Sequence, residues 1–147
     1  MHRGYFWPFR LLIAAIFALA MLTIIISAIE YFKNVQRAHS YERFESGFRN
    51  ALNAASSDPA YGLVLEKDLT LVGTITVGQF AEKYDISRDC IEMQAFGGTK
   101  IRVSEDQRKV EIEKEITIDV YFQCIRYNVG ECEIRCYIAF GRKPDLD

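Results

Sequence analysis

VEIEKEITIDVYFQC, residues 110–124, is the stretch that decides the fold. In an extended chain Val110, Ile112, Ile116, Ile118, Val120, Phe122 and Cys124 share one face, interrupted only by Lys114. Glu111, Glu113, Glu115, Thr117, Asp119, Tyr121 and Gln123 share the other. A period of two, with one apolar and one wet face, specifies a half-buried antiparallel strand. Such a strand needs neighbours, and the sequence on both sides offers them. Downstream, a turn at Tyr127-Asn128-Val129-Gly130 leads to CEIRCYIAF (132–140), where Cys132, Ile134, Cys136, Ile138 and Phe140 again alternate onto one face. Upstream, CIEMQAF (90–96) and TKIRVS (99–104) flank Gly97-Gly98 and read as a hairpin. Leu63–Leu65 and Leu69–Val72 read as two short strands separated by Glu66-Lys67-Asp68.

Further upstream the period becomes helical. Tyr41, Phe44, Phe48, Ala51 and Ala55 form an apolar stripe, with Arg37, Glu42, Arg43, Glu45, Arg49 and Asn50 at other positions. This is the pattern of a helix lying against a sheet or a second helix. Ser56-Ser57-Asp58-Pro59 should end it, because the residue before a proline is pushed out of the helical region. Apart from Gly47, nothing between Phe9 and Ser57 interrupts a continuous helix.

That helix begins in LLIAAIFALAMLTIIISAI (11–29), which carries no charge and only two hydroxyls, Thr23 and Ser27. At 1.5 Å per residue the stretch measures roughly 28 Å, close to the hydrocarbon thickness of a bilayer. Arg10 and Glu30 mark its edges. Tyr5, Phe6, Trp7 and Phe9 on one side, and Tyr31 and Phe32 on the other, suit the two membrane interfaces. Arg3 and Arg10 should hold the N-terminus in the cytoplasm, placing residues 30–147 outside. The apolar core exceeds that of an ordinary secretory signal, and Ile26-Ser27-Ala28 matches a signal-peptidase site poorly, so the helix is expected to stay.

Charge narrows the functional classes. The chain's net −2, less the +2 of Arg3 and Arg10, leaves −4 on residues 30–147. A mildly acidic domain offers no footprint for a phosphate backbone, so no nucleic-acid partner is expected. TVGQFAEKYDISRDCIEM (76–93) has the spacing of a helix-turn-helix, with Thr76 as cap and Phe80, Ala81 and Tyr84 facing inward. Its presumed recognition helix holds Arg88 beside Asp89 and Glu92, however. A short surface helix at Val77–Tyr84, set between strands, explains the same residues without DNA.

Catalytic chemistry has little to work with. His2 precedes the apolar stretch and His39 lies on the amphipathic part of the helix, so no Ser-His-Asp or Cys-His set can form in the β-rich part that follows. Glu111, Glu113 and Glu115 read as the wet face of a strand. Gly97-Gly98 lacks the lysine of a phosphate loop. No cofactor, no metal site and no enzymatic activity are expected.

Four cysteines, Cys90, Cys124, Cys132 and Cys136, behind an apolar helix suggest disulfides in an oxidising compartment. Read as members of one strand, Cys132 and Cys136 would lie roughly 13 Å apart, too far to bridge. Two pairings remain: Cys124–Cys132 with Cys90–Cys136, preferred if the turn centres on Asn128, or Cys124–Cys136 with Cys90–Cys132.

The expected architecture is therefore α+β, a long N-terminal helix packed on a small antiparallel β-sheet domain. Its parts are a basic, aromatic lead (1–10), a transmembrane helix (11–29), an amphipathic stalk helix (30–57) and an extracytoplasmic β-rich domain (60–147). A basic lead, a helix half apolar and half amphipathic, and a cysteine-closed sheet resemble the type IV pilin superfamily. The resemblance covers the whole chain as architecture but only the first ten residues as motif. In that family a short basic leader ends in glycine and is cut before an apolar residue; the match here is Arg3-Gly4 followed by Tyr5, which implies cleavage between Gly4 and Tyr5. Family members commonly carry a glutamate where this chain has Phe9, and Pro8 lies unusually early. The resemblance implies a non-catalytic envelope protein acting in filament assembly or adhesion, its partners being the membrane and, through the N-terminal helix, its own copies or other pilin-like subunits. The alternative is an uncleaved, signal-anchored ectodomain serving as an accessory or sensor subunit of a membrane complex.

Overall fold

The computed structural model describes residues 3–58, 62–96, 100–127 and 130–146, with side chains from residue 6 onward. Helix α1 runs Arg3–Asn53 and is followed by β1 (Leu63–Thr76), α2 (Val77–Tyr84), a 3₁₀ turn at Arg88–Cys90, β2 (Ile91–Ala95), β3 (Ile101–Val103), β4 (Lys109–Arg126) and β5 (Ile134–Phe140). The fold is α+β, a long helix packed on a five-stranded sheet. By compactness the chain forms two units, Met1–Gln36 and Arg37–Asp147.

The described part of the first unit, from Arg3, is helix alone. From Phe6 to Gln36 every residue is exposed within the chain. Thr23 Oγ1 donates to the Ala20 carbonyl at 2.8 Å, hiding its hydroxyl on the helix itself. Pro8 sits inside α1 and lacks the N–H that would reach the carbonyl of residue 4.

The second unit is organised by β4, the strand anticipated from its alternation. β1 pairs antiparallel along nearly all of it, from Leu63↔Gln123 to Thr76↔Lys109. On its other side β5 pairs with Val120–Arg126 and β3 with Val110–Ile112, both antiparallel. The strand order is β1-β4-β5-β2, with β3 beside the first part of β4.

Three expectations about the strands are corrected. The segments 63–65 and 69–72 are one strand. Between Glu66 and Leu69 a bulge, with Asp68 at φ 54°, shifts the alternation by one residue. Glu66 thereby meets the helix face, and Leu69 and Leu71 still reach the core. Second, CIEMQAF and TKIRVS do not form a hairpin: β2 pairs with β5 and β3 with β4. Gly97-Gly98, proposed as its turn, lies outside the described residues, as do Asn128, Val129 and Pro59. Third, the sheet is mixed, because β2 runs parallel to β5, Ile91↔Cys136 to Ala95↔Phe140.

The centre of the stripe on α1 packs as its spacing implied, while Tyr41 stays 38% exposed and Ala55 lies half-buried beyond the end of the helix. Phe44, Phe48 and Ala51 are fully buried. Phe44 lies 5.0 Å from the Phe122 ring, 5.5 Å from Phe80 and 6.0 Å from Phe140. Phe48 meets Phe80 at 4.9 Å and Tyr84 at 5.4 Å. Aromatic pairs at these separations add to the area they bury. Gly47, between the two phenylalanines, is the point of closest approach. A Cβ there would lie 2.6 Å from Phe122 Cε2 and 2.9 Å from Cδ2.

Polar bonds flank this contact. Ser40, buried, accepts from the Thr70 N–H at 3.0 Å, and Tyr41 donates to the Val72 carbonyl at 2.6 Å. Arg43 sends Nη2 to both Glu66 Oε2, at 3.0 Å, and the Lys67 carbonyl, at 2.8 Å. α1 stops at Asn53, short of the expected Ser57. Ser56 leaves the helix to bridge Ile125, its carbonyl accepting from the Arg126 N–H at 3.0 Å.

The disulfides are Cys124–Cys136 and Cys90–Cys132, the pairing not preferred from sequence. The register explains the error. Cys124 lies directly opposite Cys136 and Arg126 opposite Ile134, which centres the connection on Gly130, two residues later than Asn128. The Tyr127 N–H bonds the Glu133 carbonyl, so every second pair from there is hydrogen-bonded and 124/136 is one of the close, non-bonded pairs. Its Cα separation is 4.1 Å. Cys132 precedes β5 and is free to meet Cys90, which precedes β2, at a Cα separation of 5.6 Å.

Two outcomes follow. Gly47→Ala should lower the stability of the detergent-solubilised full chain by about 1–2 kcal/mol in chemical denaturation, because overpacking against Phe122 outweighs a gain of about 1 kcal/mol in helix propensity. A variant as stable as the parent would contradict the close approach. Peptide mapping without reduction should recover 90–132 and 124–136 linkages only. Replacing either pair by alanines should cost roughly 2–4 kcal/mol.

Candidate functional site

The feature of this molecule least explained by its own folding is the surface of α1 ahead of the domain. Its apolar stretch has a mean hydropathy of 2.8 and is 0% buried. Leu11, Leu12, Ile13, Ile16 and Phe17 are all exposed and, at about 100° per residue, point in every direction around the axis. A helix that is apolar all round belongs in a protein core or in lipid. None of the described residues covers this one, and it is long and apolar enough to cross a membrane. Phe6, Trp7 and Phe9 stand at one end and Tyr31 and Phe32 at the other, all exposed, with Trp7 at 69%. Gly4 and Tyr5, the candidate cleavage position, lie in the first turns of α1.

The cysteines build a closed, cross-linked domain. Cys124 and Cys136 are in the core under α1, beside Phe122 and Ile138. Cys90 and Cys132 tie together the chain ahead of the parallel pair β2 and β5. Part of the outer face of the sheet, at the β5 end, is covered as well, which the simple alternation of β4 did not foretell. Gln123, placed on the wet face from sequence, is buried, as are Tyr137 and Ala139. The C-terminal segment returns across β2, where Gln94 Nε2 donates to the Asp145 carbonyl and Gln94 Oε1 accepts from the Asp145 N–H, each at 2.7 Å. Burial, and hydrogen bonding with Tyr127, push the Tyr137 hydroxyl above the usual phenol range.

The residues weighed for chemistry are dispersed. Glu111 pairs with Lys109, Glu113 with Arg102 and Glu115 with Arg37. The Glu111 carboxyl titrates below its ordinary range, first because Lys109 hydrogen-bonds it. His39 is exposed on α1. Among the described residues no group of three or more His, Cys, Asp or Glu side chains is placed to hold a metal ion. The helix-turn-helix reading is overturned. Its first helix forms as α2, with Phe80 and Ala81 buried, but the residues of the second enter the 3₁₀ turn and strand β2. Thr76 occupies the N-cap position without a side-chain capping bond.

A shallow groove of about 270 Å³ opens between the second half of α1 and α2, floored by Phe44, Ile75 and Phe80. Tyr41 lines it, and burial raises its hydroxyl pKa against the opposing effect of Arg37, in keeping with a phenol that donates to a carbonyl. Glu45 and Lys83 pair across its mouth. The positions missed in the sequence are the small and polar ones, Ser40, Gly47, Thr70 and Gln123. Of these only Gly47 carried a signal, as a glycine inside an amphipathic helix.

Comparison of the chain with protein-family models, with curated proteins and with solved structures returns no match.

Proposed function

We propose that this is a non-catalytic, membrane-anchored envelope protein of pilin-like plan, acting in filament assembly or adhesion. One observation carries the reading: a single helix serves two surroundings. Its first half has an apolar surface on every side and no partner among the described residues, while its second half is the centre of a folded, disulfide-closed domain. An anchor needs only the length and hydrophobicity of the first half. A helix that also leaves the bilayer sideways to pack on copies of itself uses the same surface twice, through dispersion contacts between helices. The two disulfides support an oxidising compartment for the domain. Arg3 and Arg10 ahead of the apolar stretch favour a cytoplasmic N-terminus.

The intact mass of protein extracted from membranes tests this. The pilin-like reading expects a chain that begins at Tyr5, two intact disulfides and a sedimentable assembled fraction after shearing. Met1 retained in every molecule would leave the uncleaved ectodomain, an accessory or sensor subunit, in its place. Four free thiols in freshly isolated protein would put the domain on the wrong side of the membrane for either reading.

A further inference from the structure

The exposed part of α1 has an unbalanced charge. Within Met1–Gln36 the only acidic residue is Glu30, and Arg10 is the only charged residue between Arg3 and Glu30. Both side chains are exposed, and neither makes an ion pair or hydrogen bond to any described residue. In a bilayer this is stable, since each lies at its own interface and is hydrated. Once the helix leaves lipid for a bundle of like helices, Arg10 travels with an apolar surface and loses its water. A guanidinium among apolar side chains needs a carboxylate.

Arg10 cannot reach Glu30 of its own chain. Twenty residues of α-helix separate them by about 30 Å along the axis. The same spacing turns the helix through about 2,000°, which leaves the two side chains about 200° apart, on nearly opposite sides. A copy that offers Arg10 on one side at its lower end therefore offers Glu30 on the other side at its upper end. Contacts of that kind use two different surfaces of each subunit. They propagate from copy to copy instead of closing on a pair.

We infer that a second copy of this chain, parallel and displaced by about 30 Å along the axis, docks on α1 so that its Arg10 pairs with Glu30. This rests on the assembly reading above and adds to it an axial step and a direction of growth. Copies at smaller displacements cover the uncharged stretch Leu11–Ile29 between the two charges. Lys33, one turn beyond Glu30 and likewise unpaired, leaves the carboxylate available.

The test uses the full chain in its own membrane, with Arg3 and Arg10 unchanged so that membrane orientation is not altered. Glu30→Gln should lower the sheared, sedimentable fraction about thirtyfold or more, as losing one partner of a desolvated charge pair does, while Glu30→Asp keeps most of it. Membrane levels and disulfide pairing should match the parent in both. A photo-crosslinking side chain in place of Leu11 should capture residues within about one turn of Glu30 in another copy. Crosslinks from position 11 to the same region of the neighbour, or Glu30→Gln assembling like the parent, would overturn the inference and leave the assembly reading standing. A parent chain that keeps Met1 and never sediments would remove both.

Discussion

The approach of α1 to β4 at Gly47 is the contact on which the rest of the domain depends. Without a side chain at that position, the helix lies low enough over Phe122 for Phe44 to meet that ring and for Phe48 to reach Phe80 and Tyr84 of α2. Phe44 then touches three other rings, one from α2, one from β4 and one from β5. A single helical turn thus joins the three parts of the core. Larger residues in the same place would lift the helix, and the phenylalanines would lose contacts that cannot be replaced by small shifts in a close-packed interior.

Strong periodicities were legible in the sequence, and local exceptions were not. β4 and β5 follow from alternation, α2 from its punctuation, and the two halves of α1 from hydrophobicity and a 3–4 stripe. What failed was pairing. Alternation says that CIEMQAF is a strand but not which strand it joins, and a Gly-Gly between two strands favoured the local partner over β5. The disulfide preference failed for the same reason. It rested on the centre of one turn, and moving that centre by two residues exchanges the partner of Cys124. The bulge at Asp68 was hidden because one extra residue inverts the period, so a single strand looks like two.

Features that looked like noise have structural work. Lys114, which broke the apolar row of β4, lies where the β1–β4 register jumps from Ile116 opposite Leu71 to Ile112 opposite Gly73. Residues 113–115 stand there against the single Val72 of β1, two more than the ladder needs, so charge is tolerated where the alternation predicts a buried residue. Glu115, within this bulge, pairs with Arg37 of α1 at 2.5 Å.

That ion pair does not hold the helix down. Its side chains keep 40% and 33% of their exposure, and pairs so open to water contribute under about 1 kcal/mol. The grip begins one turn later at Ser40, whose hydroxyl satisfies the buried N–H of Thr70, and is completed by Phe44. A buried donor left without its acceptor costs about 1–3 kcal/mol, so Ser40 matters beyond its size. From Ser40 onward the helix is thus fixed both by a buried hydrogen bond and by packed rings. The apolar surface ahead of that grip, exposed along its whole length among the described residues, is of a kind that only lipid or other apolar helices can cover.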